Sequence, residues 1–163
     1  MKPRSMRFRP ILLLPLLTVV GACALADSTQ PSVPATETFA ASLGVDISTM
    51  TMIAPDLYYK DVVVGTGAPD AARNKIITVF YTGYLKDGTT FGSNVGGDSL
   101  RQPLTDVGQF AVISGWVLGI PGMKPGGTRK LVIGSAFGYG AQDKGLIPPH
   151  STLVFDIVLK RVE

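Results

Sequence analysis

The sequence predicts an α+β fold, with an antiparallel sheet wrapped over one short helix. Three observations carry that reading. β-prone runs lie both before and after a single short helical stretch at residues 114–120. The last run, residues 151–162, puts Leu153, Phe155, Ile157 and Leu159 on one face. The helical stretch falls below the roughly 12–15 residues an isolated helix needs, so it requires a sheet to pack on.

Taken in order, residues 57–64 read as a strand that Gly65-Thr66-Gly67 ends, and residues 68–74 as a polar turn. Residues 75–85 form the longest β-prone run, with Ile76, Ile77, Val79, Phe80 and Tyr81. Lys86-Asp87-Gly88 turns the chain, Asp-Gly supplying the positive-φ position, and residues 89–93 pair back. Residues 94–103 are polar and Gly-bearing and are expected to be a mobile loop. Residues 109–113 lead into the helix, where Trp116 and Ile120 stand one turn apart and Pro121 ends the run. Gly115 and Gly119 weaken that helix further. A strand follows at 128–134, with Leu131 and Ile133 sharing a face. In the last strand Asp156 and Lys160 share the second face with Val154 and Val158.

Between these two strands lies a loop rich in Gly and Pro, residues 138–150, stiffened by Pro148-Pro149. It carries Tyr139, Leu146 and Ile147 yet feeds a buried strand, which suits the rim of an apolar pocket.

A length of 163 residues suits one domain with extensions, and a hydrophobic share of 45% is ample for a core. The formal charge of +3 does not describe that domain. Four of the fifteen basic residues lie within the first nine positions, leaving eleven against twelve acidic ones. A nucleic-acid surface therefore finds no support in charge.

Residues 1–9 are basic, and Ile11 opens an apolar run of about ten residues that is too short to span a bilayer. It reads as a secretory signal with two processing options. Val20-Gly21-Ala22-Cys23 resembles a bacterial lipobox, making residues 1–22 the signal and Cys23 the lipidated N-terminus. Ala24-Leu25-Ala26 is an A-x-A site that would instead release Asp27 onward. Ala24 after the cysteine favours outer-membrane sorting, facing the periplasm or surface; the other option gives a soluble periplasmic or secreted protein. Residues 23–54, rich in Ser, Thr, Ala and Pro, are expected to be a flexible tether to a domain at 55–163.

Several chemistries are poorly supplied. The single cysteine precludes an internal disulfide, and one His with no Cys or His partner makes no ordinary zinc site. There is no G-x-S-x-G elbow, and Gly138-Tyr139-Gly140 lacks the Lys-Ser/Thr ending of a phosphate loop. His150 reads as structural. No cofactor is implied. What remains is a set of aromatic and aliphatic residues, suited to rotation about an X-Pro bond. That reaction needs no acid, base or nucleophile; its barrier of about 18–20 kcal/mol comes from amide resonance. A weakly polar slot favours the twisted amide, which separates less charge than the planar one.

Three ordered segments carry a family resemblance. They are residues 79–93, with Tyr81-Thr82-Gly83-Tyr84 and Phe91-Gly92-Ser93; Val112-Ile113-Ser114-Gly115-Trp116 followed by Gly122-Met123-Lys124-Pro125-Gly126-Gly127-Thr128; and the Tyr139 loop ending in Ile147-Pro148-Pro149-His150. Together they resemble the FKBP-type peptidyl-prolyl cis/trans isomerases over residues 57–163. The resemblance implies a half-barrel sheet around the helix and proline-containing polypeptide clients, with macrolides as inhibitors. It implies Trp116 as the floor under the proline ring, with Tyr81, Phe91, Val112, Ile113 and Phe155 as walls. It also implies that the Tyr139 hydroxyl and the Ile147 backbone N–H bind substrate carbonyls. Phe137, at the strand–loop junction, and Leu146, at the mouth, complete the expected lining. Taken singly, Trp116, Phe155, Val112 and Ile113 read as plain core; the ordered set assigns them to the pocket. Tyr84, three residues beyond Tyr81, is expected to face away.

The sequence departs from the family at three places. Gly92 stands where an Asp usually bonds the tyrosine at position 81, and Asp98 and Asp106 are the carboxylates near enough in sequence to replace it. Residues 103–108 lack the usual Phe pair, and the loop before Ile147 is one residue short, with Lys144 near its tip.

Overall fold

The computed structural model describes residues 30–108 and 111–163. The expected signal segment, Cys23 and the Ala24–Ala26 site lie outside the described residues.

Seven antiparallel strands form one open sheet: β1 (Thr51–Ala54), β2 (Leu57–Val63), β3 (Ile76–Leu85), β4 (Thr90–Ser93), β5 (Leu100–Pro103), β6 (Thr128–Ile133) and β7 (Leu153–Val162). Their order is β1-β2-β6-β7-β3-β4, with β5 also on β3. Pairings on β3 place β4 beside Thr82–Tyr84 and β5 beside Ile76–Val79, so the two short strands share one edge of β3. The one α-helix among the described residues, α1 (Ser114–Gly119), lies against the sheet's inner face. The fold is therefore the α+β arrangement that the strand pattern predicts, with the ends of the expected elements shifted by a residue or two and with β1 and β5 added to them.

The inner face forms the main core. Leu57, Ile77, Val79, Leu131, Ile133, Leu153, Ile157 and Leu159 have no exposed surface, and Trp116 and Ile120 pack onto them from α1. Each such side chain contributes about 1.5–3 kcal/mol of transfer free energy. The two helical glycines have a packing role. A Cβ on Gly115 would sit 2.6 Å from Ile133 Cγ2, and one on Gly119 would sit 2.8 Å from Leu131 Cδ2. Their absent side chains let the helix lie close on β6.

Arg129 on β6 fixes the end of α1. Its guanidinium is buried and makes a two-point salt bridge to Asp61 on β2, at 2.7 and 3.0 Å. Nη1 donates to the Gly119 and Pro121 carbonyls at 2.8 and 3.1 Å, and the plane stacks 4.2 Å from the Tyr59 ring centroid. The carbonyls that a helix end leaves open are thus met by a charged donor.

Two expectations need correction. Residues 30–54 do not behave as a tether. Leu43 is buried with Tyr58, Val132 and Val154, and Phe39, Val45, Ile47, Met50 and Tyr84 pack around them. Ser32 and Ser135 exchange two backbone-to-hydroxyl bonds, at 3.1 and 2.7 Å, and Lys86 pairs with Glu37 at 2.9 Å. The physical cause is the mixed outer face: Val132 and Val154 point away from α1 and need apolar cover, which scattered side chains in a Ser/Thr-rich segment supply. Tyr84 faces this outer layer, as its spacing from Tyr81 predicts.

The second correction concerns residues 94–103, where a mobile loop was expected and β5 pairs with β3. Between β4 and β5 the side chain of Asn94 takes over the ladder. Its Oδ1 accepts from the Tyr81 N–H at 2.7 Å and its Nδ2 donates to the Val79 carbonyl at 3.1 Å, while its own N–H bonds the Tyr81 carbonyl at 3.1 Å. Polar residues that reproduce backbone bonding leave no hydrophobic alternation to read.

Gly115→Ala should lower unfolding stability by about 1–2 kcal/mol, because overpacking against the stiff, branched Ile133 outweighs the gain in helix propensity. Gly119→Ala should cost less, since Leu131 meets it with terminal methyls; urea midpoints compare the two. Asn94→Ala should cost about 1–3 kcal/mol by orphaning the Tyr81 N–H, and unchanged amide-exchange protection at Tyr81 would contradict it.

Candidate active site

Trp116 lies in the first turn of α1, where its N–H bonds the Ile113 carbonyl at 2.9 Å. Its ring is buried and meets two others edge-on: Tyr81 from β3 at 5.3 Å between centroids and Phe155 from β7 at 5.4 Å. Phe155 also meets Phe91 of β4 edge-on at 5.5 Å. Such T-shaped pairs each add about 0.5–1.5 kcal/mol beyond area burial. The Trp116 Nε1–H is buried without a partner.

Gly83 gives this cluster room. It pairs with Gly92 on one side and Phe155 on the other, and a Cβ there would lie 2.6 Å from the Phe91 ring and 2.9 Å from the Phe155 ring. The two phenylalanines close over the strand because position 83 has no side chain. Gly92 is a different case. A Cβ there would meet Tyr81 Oη at 3.8 Å, an ordinary contact, so that position has space for a side chain beside the hydroxyl.

These rings border a pocket of ≈ 550 Å³ lined by Tyr81, Phe91, Gly92, Leu100, Ala111, Val112, Ile113, Trp116, Tyr139, Lys144, Ile147 and Phe155. Eight of the residues singled out in the sequence thus converge: Tyr81, Phe91, Val112, Ile113, Trp116, Tyr139, Ile147 and Phe155. Two do not. Phe137 ends a 3₁₀ turn and packs into the core, its carbonyl accepting from the Ser114 hydroxyl at 3.3 Å. Leu146 is 64% exposed, whereas Ile147 beside it is buried; the loop directs one inward and the other to water. Leu100 and Ala111 went unforeseen, Leu100 because its strand was read as loop.

Neither Asp98 nor Asp106 replaces the missing carboxylate. Asp106 pairs with Arg73 at 3.4 Å, Asp98 gives its backbone carbonyl to Asn94, and neither lines the pocket. Among the described residues, no carboxylate, thiol or imidazole borders it. The Tyr139 hydroxyl holds its proton above the ordinary phenol range, first because burial disfavours the phenolate and second because Tyr81 lies near. His150 stays outside: its N–H donates to the Gly140 carbonyl at 2.7 Å, tying the loop through backbone, as its structural reading implies. A second cleft, of ≈ 490 Å³, lies between residues 30–37 and Pro148–Thr152, but no aromatic ring of Phe, Tyr or Trp lines it.

The pocket's composition directs attention to relatives. Residues 67–160 match the model of the family described as FKBP-type peptidyl-prolyl cis-trans isomerase. An FK506-binding protein of Neisseria meningitidis serogroup C is 52% identical over 95 residues, 57% of this chain and 84% of the relative. Among solved structures, a peptidyl-prolyl cis-trans isomerase from Pseudomonas syringae superposes with a TM-score of 0.63 at 31% identity, covering 76% of this chain and 86% of that one. FkpA from Escherichia coli superposes with a TM-score of 0.58 at 38% identity, covering 66% of this chain; the match spans about half of that protein's length, 48%. With well over half of its residues inside the family match, the chain belongs to the FKBP-type peptidyl-prolyl cis-trans isomerases.

Proposed function

We propose that this chain accelerates X-Pro rotation in exported proteins of the cell envelope by holding the twisted amide in the aromatic pocket. The observation that carries this is the ring cluster of Trp116, Tyr81 and Phe155 beneath a pocket that, among the described residues, no carboxylate, thiol or imidazole borders. Trp116 is the floor for the proline ring, and Tyr81, Phe91, Val112, Ile113 and Phe155 are its walls. The Tyr139 hydroxyl donates to one substrate carbonyl and the Ile147 backbone N–H to another. A planar amide is more polar than its twisted form, so moving the bond out of water into this lining raises the ground state relative to the transition state. Macrolides of the kind named in its relatives occupy the same pocket, with affinity lowered by Gly92.

A second reading has one observation behind it. With Gly92 in place of an acidic residue, nothing holds the Tyr81 hydroxyl from that side, and the pocket then serves as a peptide-binding or chaperone module with weak turnover.

Export rests on the sequence alone: residues 1–22 act as signal, and lipid on Cys23 anchors the folded domain to the membrane, in the outer membrane where the cell has one. Mass spectrometry of the mature N-terminus decides this point. A diacylated Cys23 supports anchoring, and an unmodified chain beginning at Asp27 contradicts it.

The cis-to-trans rate of a Leu-Pro peptide separates the enzyme from the binding module. Trp116→Ala should lower kcat/KM at least about tenfold, the equivalent of 1.4 kcal/mol. Tyr139→Phe should lose about three- to tenfold, the value of one neutral hydrogen bond. Weak turnover that Gly92→Asp restores would favour the binding module; no turnover in any variant would refute catalysis. Since Tyr139 keeps its proton, wild-type rates should be flat from about pH 6 to 9, and any fall should come above the ordinary phenol value of about 10. A drop between about pH 7 and 9 that disappears in Tyr139→Phe would contradict this assignment.

A further inference from the structure

We propose that Lys144 makes this pocket selective for prolines flanked by an acidic side chain. The inference rests on the aromatic pocket being where the prolyl bond binds. Of the described lining residues, Lys144 alone carries a charge at neutral pH; the others are aromatic, aliphatic or glycine. Its ammonium stands 5.8 Å from the Tyr139 ring centroid, at the rim, and forms no salt bridge among the described residues.

Its neighbour in sequence, Asp143, keeps its own charge but does not line the pocket. Asp143 turns back into its own loop, its Oδ1 accepting the Gly145 N–H at 2.8 Å. Asp106, beyond the end of β5, is held by Arg73. Gly92, across the pocket, contributes no carboxylate. The backbone N–H of Lys144 bonds the Ile147 carbonyl at 3.1 Å, so the main chain that carries this side chain is held beside the residue assigned to contact the peptide.

Lys144 is exposed, so the attraction acts through water. At such a site it is modest and salt-sensitive, worth about two- to fivefold in kcat/KM. An uncharged pocket of the same shape would give the carboxylate no advantage over its isosteric amide, since the charged group costs more to desolvate. The residue beside the proline therefore reports on Lys144 directly.

The test uses terminally blocked peptides in isosteric pairs, Glu-Pro against Gln-Pro and Pro-Glu against Pro-Gln, with Leu-Pro as reference. Turnover is read as kcat/KM, and binding separately through the fluorescence of Trp116, the single tryptophan of the chain. In at least one pair the acidic peptide should be favoured by about two- to fivefold at low salt, and the ratio should approach one at about 1 M salt. Lys144→Gln should abolish the ratio and Lys144→Glu should invert it. Ratios of one in both pairs, or a ratio that survives Lys144→Gln, would overturn the proposal while leaving Leu-Pro turnover intact. A protein that neither turns over Leu-Pro nor shows a Trp116 response would instead refute the pocket assignment and this inference with it.

Discussion

The contact on which most of the structure depends is the close seating of a six-residue helix on strand β6. Gly115 and Gly119 bring the helix backbone onto Ile133 and Leu131, and Arg129 latches its last carbonyls to Asp61 on the neighbouring strand. A helix of this length has too few internal bonds to persist alone. Its position is therefore set by the sheet, and that position delivers Trp116 to Tyr81 and Phe155. The pocket's floor is as well placed as that seating allows.

The site's chemistry is defined by what its lining omits. An X-Pro bond rotates without proton transfer, so a catalyst for it needs shape, low polarity and a few hydrogen-bond donors. The pocket offers rings from three strands and one helix, and a tyrosine hydroxyl that burial keeps protonated. Gly83 and Gly92 show how different two glycines of one hairpin are. The first is required by the rings packed over it, and the second leaves an open place beside Tyr81.

Much of this was legible in the sequence, for identifiable reasons. The alternation of Leu153, Phe155, Ile157 and Leu159 announces an inner face, and Asp87-Gly88 announces the hairpin, because both depend on local geometry. The three ordered segments, through their family resemblance, located eight pocket residues. What escaped depends on tertiary context. Phe39, Leu43 and Met50 cover an outer sheet face whose need for cover arises only once β2, β6 and β7 are assembled. Asn94 substitutes for a strand through its side chain, which leaves no periodic trace. Leu146 and Ile147 are equally apolar, and only the fold of the loop sends one inward. Gly115 and Gly119 signal a weak helix by propensity, yet in place they permit its closest contact.

A prolyl ring resting on Trp116 should be visible by NMR of an isotopically labelled Leu-Pro peptide titrated with the protein. The expected result is upfield ring-current shifts of the proline ring protons, contacts from them to the Trp116 indole, and exchange between cis and trans signals that quickens with added protein. Proline protons that stay unshifted, or that contact Pro148–Thr152 in the second cleft instead, would contradict it.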